Sequence, residues 1–264
     1  MIASRWLAAG LFVVSSGTTV LAQRNMQQYF GDPNEYWKHP EDHGNAPYDG
    51  RFTFVRIKYR GYEHMTNEGP GWAHDYPTAE THLMQMMREL TSMRPFMSHG
   101  PVIGGNLVAL DDPQLFKFPV AYLSEPGGWH PAPAEITGMR SYLLKGGFVI
   151  VDDFGGPRDW LNFSQVMQAI LPKGRLVPIA PTHPIFDSFF SIDLSKIGRG
   201  YRGVPKFFGI FENNDPKKRI LMIANFDADI GEYWQWSDQG FFAVPESNEA
   251  YKLGVNYLIY ALTH

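Results

Sequence analysis

The sequence contains no cysteine. This absence excludes disulfides, zinc–thiolate sites, iron–sulfur clusters, a thiol nucleophile and a lipid anchor on a cysteine. Basic residues are also in the minority, with 23 Lys and Arg against 27 Asp and Glu and a formal net charge of −4. A chain with this balance has no broad basic face for phosphate backbones, so we expect no nucleic-acid partner.

Several familiar catalytic motifs are missing as well. The chain has no G-x-S-x-G elbow, no P-loop and no H-E-x-x-H pair, and the glycines of Ile103–Asn106 do not form a dinucleotide fingerprint. No cofactor is evident from the motifs. Hydrophobic residues make up 44% of the chain and aromatic residues 15%, which is enough for a sizeable core.

Long apolar runs are confined to the first residues. Residues 1–22 have the form of a signal peptide, with one positive charge, the apolar run Trp6–Val14, and small residues before a predicted cleavage site at Gln23. The run is too short to span a bilayer. We expect an exported protein, periplasmic or extracellular, with no stable membrane span after cleavage. The alternative is that the segment stays as an N-terminal membrane anchor.

The next segment, residues 23–50, is polar and irregular and contains three prolines. This composition predicts an extended N-terminal leader. The folded domain is then expected over residues 51–264.

Strand and helix patterns alternate along residues 51–264. Apolar or alternating runs predict strands and i, i+3, i+4 spacing predicts helices. The alternation favours an α/β domain, a three-layer α/β/α sandwich with a mostly parallel central sheet. The predicted strands are Phe52–Lys58, Val120–Leu123, Phe148–Val151, Arg175–Ile179, Lys206–Phe211 and Arg219–Phe226. The predicted helices are Thr78–Ser92, one opening at Pro133, Asp159–Leu171 and Ser247–Leu262.

Ligands of such sheets bind beyond the carboxyl ends of the strands. That rule selects three loops as the candidate site, namely Arg60–Tyr76, Ser124–His130 and Asp152–Gly156. Asp152 and Asp153 end the most strand-like run and are the first candidates for a general base or metal ligand. The alternative is a structural role, in which each carboxylate accepts backbone N–H groups.

Other side chains in these loops could bind a sugar or another polar ligand. Asp75 could instead cap the following helix, and His183, a candidate acid or base, could equally bond loop backbone. Near residues 225–236 three acids suggest a divalent cation, although the spacing is not that of an EF-hand. The candidate ligand-binding residues are Trp72, His74, Asp75, Tyr76, Asp229 and Glu232.

Four segments carry a specific resemblance to a family: Tyr142–Phe154, Asp75–Ala79, His183–Phe186 and Leu253–His264. Together they resemble the bacterial domain of unknown function DUF4159, over about residues 51–264. That family has no established activity, so the resemblance implies a fold rather than a reaction.

More remotely, the chain resembles the class I glutamine amidotransferase-like, flavodoxin-like fold and its ThuA-like branch. The resemblance implies that Gly127 and Gly128, next to Trp129, form a ligand-binding loop that supplies backbone donors. In that fold a nucleophilic cysteine stands where this chain has Asp152 and Asp153. Glutamine hydrolysis is therefore not expected.

Two functions remain open. The first is a non-catalytic module of the cell envelope that binds a small polar ligand or a partner protein. The second is a hydrolase of polar or carbohydrate-derived substrates that uses Asp152 or Asp153 with His183, with or without a divalent cation. The hydrolase requires one of these carboxylates to converge with His183 in one open pocket.

Overall fold

The structure, a computed structural model, describes residues 45, 47–60, 70–96, 105–197 and 203–264. The predicted signal peptide and most of the predicted leader lie outside the described residues. Among the described helices, none is long and apolar enough to cross a membrane.

Seven strands of the described chain form one sheet in the order β2-β1-β3-β4-β7-β6-β5. The pairs β2–β1, β1–β3, β3–β4 and β4–β7 are parallel. Strand β6 is antiparallel to both of its neighbours, β7 and β5. The predicted α/β fold with a mostly parallel sheet is therefore confirmed. The strands are β1 (Phe54–Lys58), β2 (Gly105–Ala109), β3 (Val120–Ser124), β4 (Phe148–Phe154), β5 (Val177–Pro178), β6 (Lys206–Phe211) and β7 (Ile220–Phe226).

Helices lie on both faces of this sheet. The first helix leads from β1 to its neighbour β2, and the second leads from β3 to β4 in the opposite direction along the sheet. Because such crossovers are right-handed, the two helices lie on opposite faces. The first, fourth and fifth helices pack together, and so do the second and third. The helices are α1 (Thr78–Leu90), α2 (Pro133–Leu144), α3 (Gly156–Ile170), α4 (Ile230–Gln235) and α5 (Val244–Thr263).

The core follows from this layering. Every residue of β3, β4 and β7 is buried, as expected for central strands that are covered on both faces. Between α4 and α5, a Cβ atom on Gly254 would lie 2.6 Å from the Trp234 ring. Glycine at this position therefore lets the fully buried indole sit directly on α5.

Three elements differ from the sequence prediction. Strand β2 was not predicted, because Gly105 and Asn106 have low strand propensity; the strand forms by pairing along the whole of β1. Helix α4 was not predicted either, because its six residues carry too little periodicity. Helix α3 begins at Gly156, three residues earlier than expected.

The end of the predicted leader contacts the domain. The Asn45 side chain accepts a hydrogen bond from Leu107 N (2.7 Å) and donates one to Leu107 O (2.6 Å). Tyr48 packs its ring against Phe118. Asn45 thereby satisfies backbone groups of the edge strand β2 that would otherwise face water or another chain.

Two adjacent leucines of α2 allow a test of how this helix packs on the sheet. Leu143 is fully buried and Leu144 is 63% exposed. We expect Leu143→Ala to lower the free energy of unfolding by about 2–5 kcal/mol, because it leaves a cavity. Leu144→Ala should change it by no more than about 0.5 kcal/mol. Urea denaturation of both variants measures the difference, and similar losses in both would contradict the packing described.

Candidate functional site

Four side chains meet at the carboxyl edge of the sheet. They are His74, Asp75, Asp153 and Asp229, and one potential ligand atom from each lies within 4.8 Å of the others. His74 and Asp75 belong to the loop between β1 and α1, Asp153 to the end of β4, and Asp229 to the turn before α4. Residues far apart in sequence are therefore brought together by the parallel strands, whose carboxyl ends meet at one edge.

Arg56 holds the first of these loops. Its buried guanidinium forms an ion pair with Glu80 of α1 and donates through Nη1 to the carbonyl oxygens of Trp72 and His74. A buried guanidinium must be paired, so it fixes the groups that pair with it. Arg56 thereby ties the loop that carries His74 and Asp75 to β1.

Two of the four site residues have left-handed backbone conformations. The φ angle is 63° at Asp75 and 60° at Asp153. Such values are uncommon outside glycine and cost of the order of 1 kcal/mol, although Asp tolerates them better than most residues. At Asp153 the conformation coincides with a shift of register between β4 and β7. Backbone strain is thus present at two of the four cluster residues.

His74 lies at the rim of the cluster. Its Nδ1 atom is 2.8 Å from Asp153 Oδ2 and 3.6 Å from Asp75 Oδ2. The imidazole is 18% exposed, whereas both carboxylates are fully buried. The histidine is therefore the part of the cluster that reaches solvent.

Asp75 lacks the donors that a buried carboxylate needs. Neither of its oxygens has a hydrogen-bond partner among the described residues. Burial raises the pKa of Asp75 to about 8; His74 and Arg56 oppose this shift, and the Asp153 carboxylate adds to it. A carboxylate in this position is destabilising unless a cation or a proton neutralises it.

Asp229 is only half satisfied. Its Oδ1 atom accepts from Glu232 N (3.0 Å) and so caps α4, while Oδ2 is buried with no hydrogen-bond partner among the described residues. Burial, together with the carboxylates of Asp153 and Asp75, raises the pKa of Asp229 well above its usual value. Two acids of the cluster thus have buried oxygen atoms that no described residue satisfies by a hydrogen bond.

Gly231 allows α4 to approach the cluster closely. A Cβ atom at this position would lie 2.7 Å from Asp75 Oδ2 and 2.7 Å from Tyr122 Oη. Contacts this short are not tolerated, so only glycine fits. The backbone of α4 forms one wall of the cluster.

Comparison with known families shows which family the chain belongs to. Residues 53–262 match the family described as Domain of unknown function (DUF4159). The chain belongs to this family. The matched region contains all four residues of the cluster together with Arg56 and Gly231. No curated protein matches the chain.

Asp152 of this DUF4159 domain has a different environment from its neighbour Asp153. Its Oδ2 atom accepts from Tyr122 Oη (2.7 Å), Ile230 N (2.8 Å) and Gly231 N (2.9 Å). Its Oδ1 atom accepts from Asn225 Nδ2 (3.1 Å). Burial raises the pKa of Asp152, and these hydrogen bonds oppose the shift. Asp152 thus binds the first turn of α4. It thereby positions Asp229, the residue immediately before that helix.

The structure does not bring His183 to this edge. The His183 ring packs against Phe211 and Tyr260, and Tyr260 Oη accepts from the N–H of Ile220 at the start of β7. Asn225, which contacts Asp152, lies near the other end of the same strand. At about 3.3 Å per residue the two strand positions are roughly 16 Å apart. The convergence of His183 with Asp152 or Asp153 that the hydrolase requires is absent from the described residues.

The other predicted residues surround the cluster without belonging to it. Trp72 contributes a carbonyl oxygen to Arg56 and is otherwise buried. Tyr76 is buried near the Arg56 guanidinium, and Glu232 is half-buried in the first turn of α4. In the loop after β3, Gly127 lies against Asp159, Gly128 ends a short 3-10 turn, and Trp129 packs on Tyr59.

A substitution of Asp152 tests its structural role. Asp152→Ala leaves four buried donors without an acceptor, so we expect a loss of about 3–5 kcal/mol in the free energy of unfolding. The matched control is the exposed Asp187. Asp187→Ala should stay within about 0.5 kcal/mol of the parent. Chemical denaturation provides the measurement, and a small effect of Asp152→Ala would refute the assigned role.

Proposed function

We propose that this domain binds a divalent cation through His74, Asp75, Asp153 and Asp229, and acts as an exported ligand-binding module rather than a thiol enzyme. The observation that carries the proposal is the fully buried Asp75 carboxylate, which has no hydrogen-bond donor among the described residues and is aimed at three further ligands. An unpaired buried carboxylate costs several kcal/mol, and a bound cation offsets that cost.

The spacing of the four donors supports this proposal. Divalent ions bind oxygen and nitrogen at about 2.0–2.6 Å, so donors on opposite sides of one ion lie about 4–5 Å apart. The four ligand atoms already lie within 4.8 Å of one another. The four atoms are therefore close enough together to share one ion.

Charge supports it as well. Three carboxylates surround the position, and the nearby guanidinium of Arg56 is already engaged by Glu80. A divalent ion would reduce the formal charge of the three acids from −3 to −1. His74 alone supplies at most one positive charge to the cluster.

The wider assignment rests on sequence and on resemblance. Export is proposed from the pattern of residues 1–22, and the bound partner is proposed to be a small polar ligand or a protein of the cell envelope. The parallel sheet, with Gly127 and Gly128 after β3 and an acidic pair near the end of β4, supports a remote relationship to the amidotransferase-like fold. With Asp152 and Asp153 in place of its cysteine, amidotransferase chemistry is not proposed.

Hydrolysis of polar or carbohydrate-derived substrates is the second candidate, in a metal-assisted form. One observation favours it: His74 is partly exposed, so an ion at the cluster would be within reach of a small substrate. Asp152 would not act as the base, because each of its oxygens already accepts hydrogen bonds.

Replacing Asp75 separates binding from stability. In chelator-treated protein we expect Asp75→Asn to raise the free energy of unfolding by about 1–3 kcal/mol, because the amide removes a buried charge and supplies donors. The same variant should lose the increase in melting temperature that divalent cations give the parent, roughly 5–10 °C at a hundredfold excess over Kd. Thermal and chemical denaturation measure both effects.

The control for this experiment is Asp187→Asn on the exposed surface, which should keep both parental values. An Asp75→Asn protein that still responds fully to cations would overturn the proposal. So would a parent protein that responds to no divalent cation.

A second variant tests whether His183 contributes to the site. His183→Ala should leave cation binding within about twofold of the parent, because the ring packs at the opposite end of β7. Isothermal titration calorimetry gives the affinities. A loss as large as that of Asp75→Asn would mean that His183 reaches the cluster, contrary to the geometry.

A further inference from the structure

The four donors of the cluster distinguish between classes of divalent cation. We infer that the site is selective for a first-row transition ion, with Zn²⁺ as the reference, over Ca²⁺ and Mg²⁺. This inference rests on the proposed function and names its ion. Three features carry it: the donor types, the state of the surrounding carbonyl groups, and the number of donors that can be recruited.

The donor types include a nitrogen. One imidazole and three carboxylates form the set. Imidazole is a ligand of Zn²⁺, Fe²⁺, Ni²⁺ and Cu²⁺, whereas Ca²⁺ and Mg²⁺ are bound by oxygen. Because His74 lies 2.8 Å from Asp153 and 3.6 Å from Asp75, an ion in contact with both carboxylates would also meet the imidazole.

Main-chain carbonyl groups of the loop are already engaged. Those of Trp72 and His74 accept from Arg56, that of Ala73 accepts from Tyr76 N, and that of Asp75 accepts from Ala79 N. Ca²⁺ takes six to eight oxygen ligands and commonly uses such carbonyls. The carbonyl oxygens of residues 72–75 are therefore already used as hydrogen-bond acceptors within the protein.

Neighbouring carboxylates are also committed elsewhere. Asp152 binds α4, Glu80 binds Arg56, and Asp227 accepts from Gly156 N and lies 3.6 Å from Lys206. Among the described residues the candidate donors are therefore the four of the cluster, which is the number that Zn²⁺ prefers. Mg²⁺ usually keeps several waters, and the three acids of the cluster are at most 6% exposed. Little space is left for that hydration shell.

Competition between ions provides the test. Chelator-treated protein is titrated with Zn²⁺, Co²⁺, Mg²⁺ and Ca²⁺ separately, and Zn²⁺ is titrated again in an excess of Mg²⁺ or Ca²⁺. We expect one Zn²⁺ per chain, bound at least about 100-fold more tightly than Mg²⁺ or Ca²⁺. Because many nitrogen-containing sites favour later ions to some degree, the second readout is the visible absorption of the Co²⁺ form. Intense bands of four-coordinate Co²⁺ are expected, rather than the weak bands of a six-coordinate ion.

His74→Asn is the decisive variant, since it exchanges the nitrogen donor for an oxygen of similar position. It should weaken Zn²⁺ binding at least about tenfold and leave the weak Ca²⁺ binding within about twofold. The control is the double variant His183→Ala, His264→Ala, which removes two other imidazoles that contact Tyr260 and should bind Zn²⁺ like the parent.

The possible failures are distinguishable. If Ca²⁺ or Mg²⁺ binds as tightly as Zn²⁺, or if Co²⁺ is six-coordinate, the selectivity is refuted and the proposed cation site stands. If Zn²⁺ binding survives in His74→Asn but is lost in the control, the ion sits at surface histidines and the inference fails. If no ion binds, the inference and the proposed function fail together.

Discussion

The charge of Asp75 has to be neutralised inside the protein, and the surrounding structure leaves that task to something other than a hydrogen bond. The carboxylate is fully buried, its oxygens accept no hydrogen bond among the described residues, and two further acids face it. Two other buried charges beside the cluster have hydrogen-bond partners. Arg56 has Glu80 and two carbonyl groups, and Asp152 has four donors. The contrast supports the proposal that stability is given up at the cluster in favour of binding a cation.

The buried charges that have hydrogen-bond partners hold the cluster residues in place. Arg56 fixes the loop that carries His74 and Asp75, and Asp152 fixes the first turn of α4 behind Asp229. Tyr257 of α5 donates to Asn225, which in turn donates to Asp152, so the network reaches from the helix layer to the sheet edge. Removing such a support should therefore move ligand atoms without deleting them. Second-sphere partners of this kind orient ligands in metal sites generally.

Much of the fold could be predicted from the sequence, because buried parallel strands such as Phe148–Val151 and amphipathic helices such as Thr78–Leu90 have strong periodicity. Strand β2 and helix α4 could not, since tertiary pairing and capping by Asp152 and Asp229 determine them rather than local propensity. The candidate residues His74, Asp75, Asp153 and Asp229 all appeared in the sequence prediction. The loops of His74, Asp75 and Asp153 were also expected to form one site. The addition of Asp229 and the separation of His183 were not expected, because both depend on strand order.

One signal in the sequence pointed to the support of the site. Arg56 interrupts a strand that is otherwise buried, and a charge at such a position must have a partner. The partner, Glu80, sits 24 residues later on the first turn of α1, and no local pattern connects the two. Only the crossover from β1 to α1 places them together.

The pair Asp152–Asp153 shows how a single strand end can provide both support and ligand. In a regular strand the two side chains would point to opposite faces of the sheet. Here the left-handed conformation of Asp153 and the shift of register between β4 and β7 break that alternation, so that Asp153 contacts His74 while Asp152 faces Tyr122 and α4. The two neighbouring aspartates thus have different hydrogen-bond partners. Because donors already surround Asp152, a cation would gain little by approaching it. Beside Asp75 and Asp229, the proposed cation would take the place of donors that the described residues do not supply.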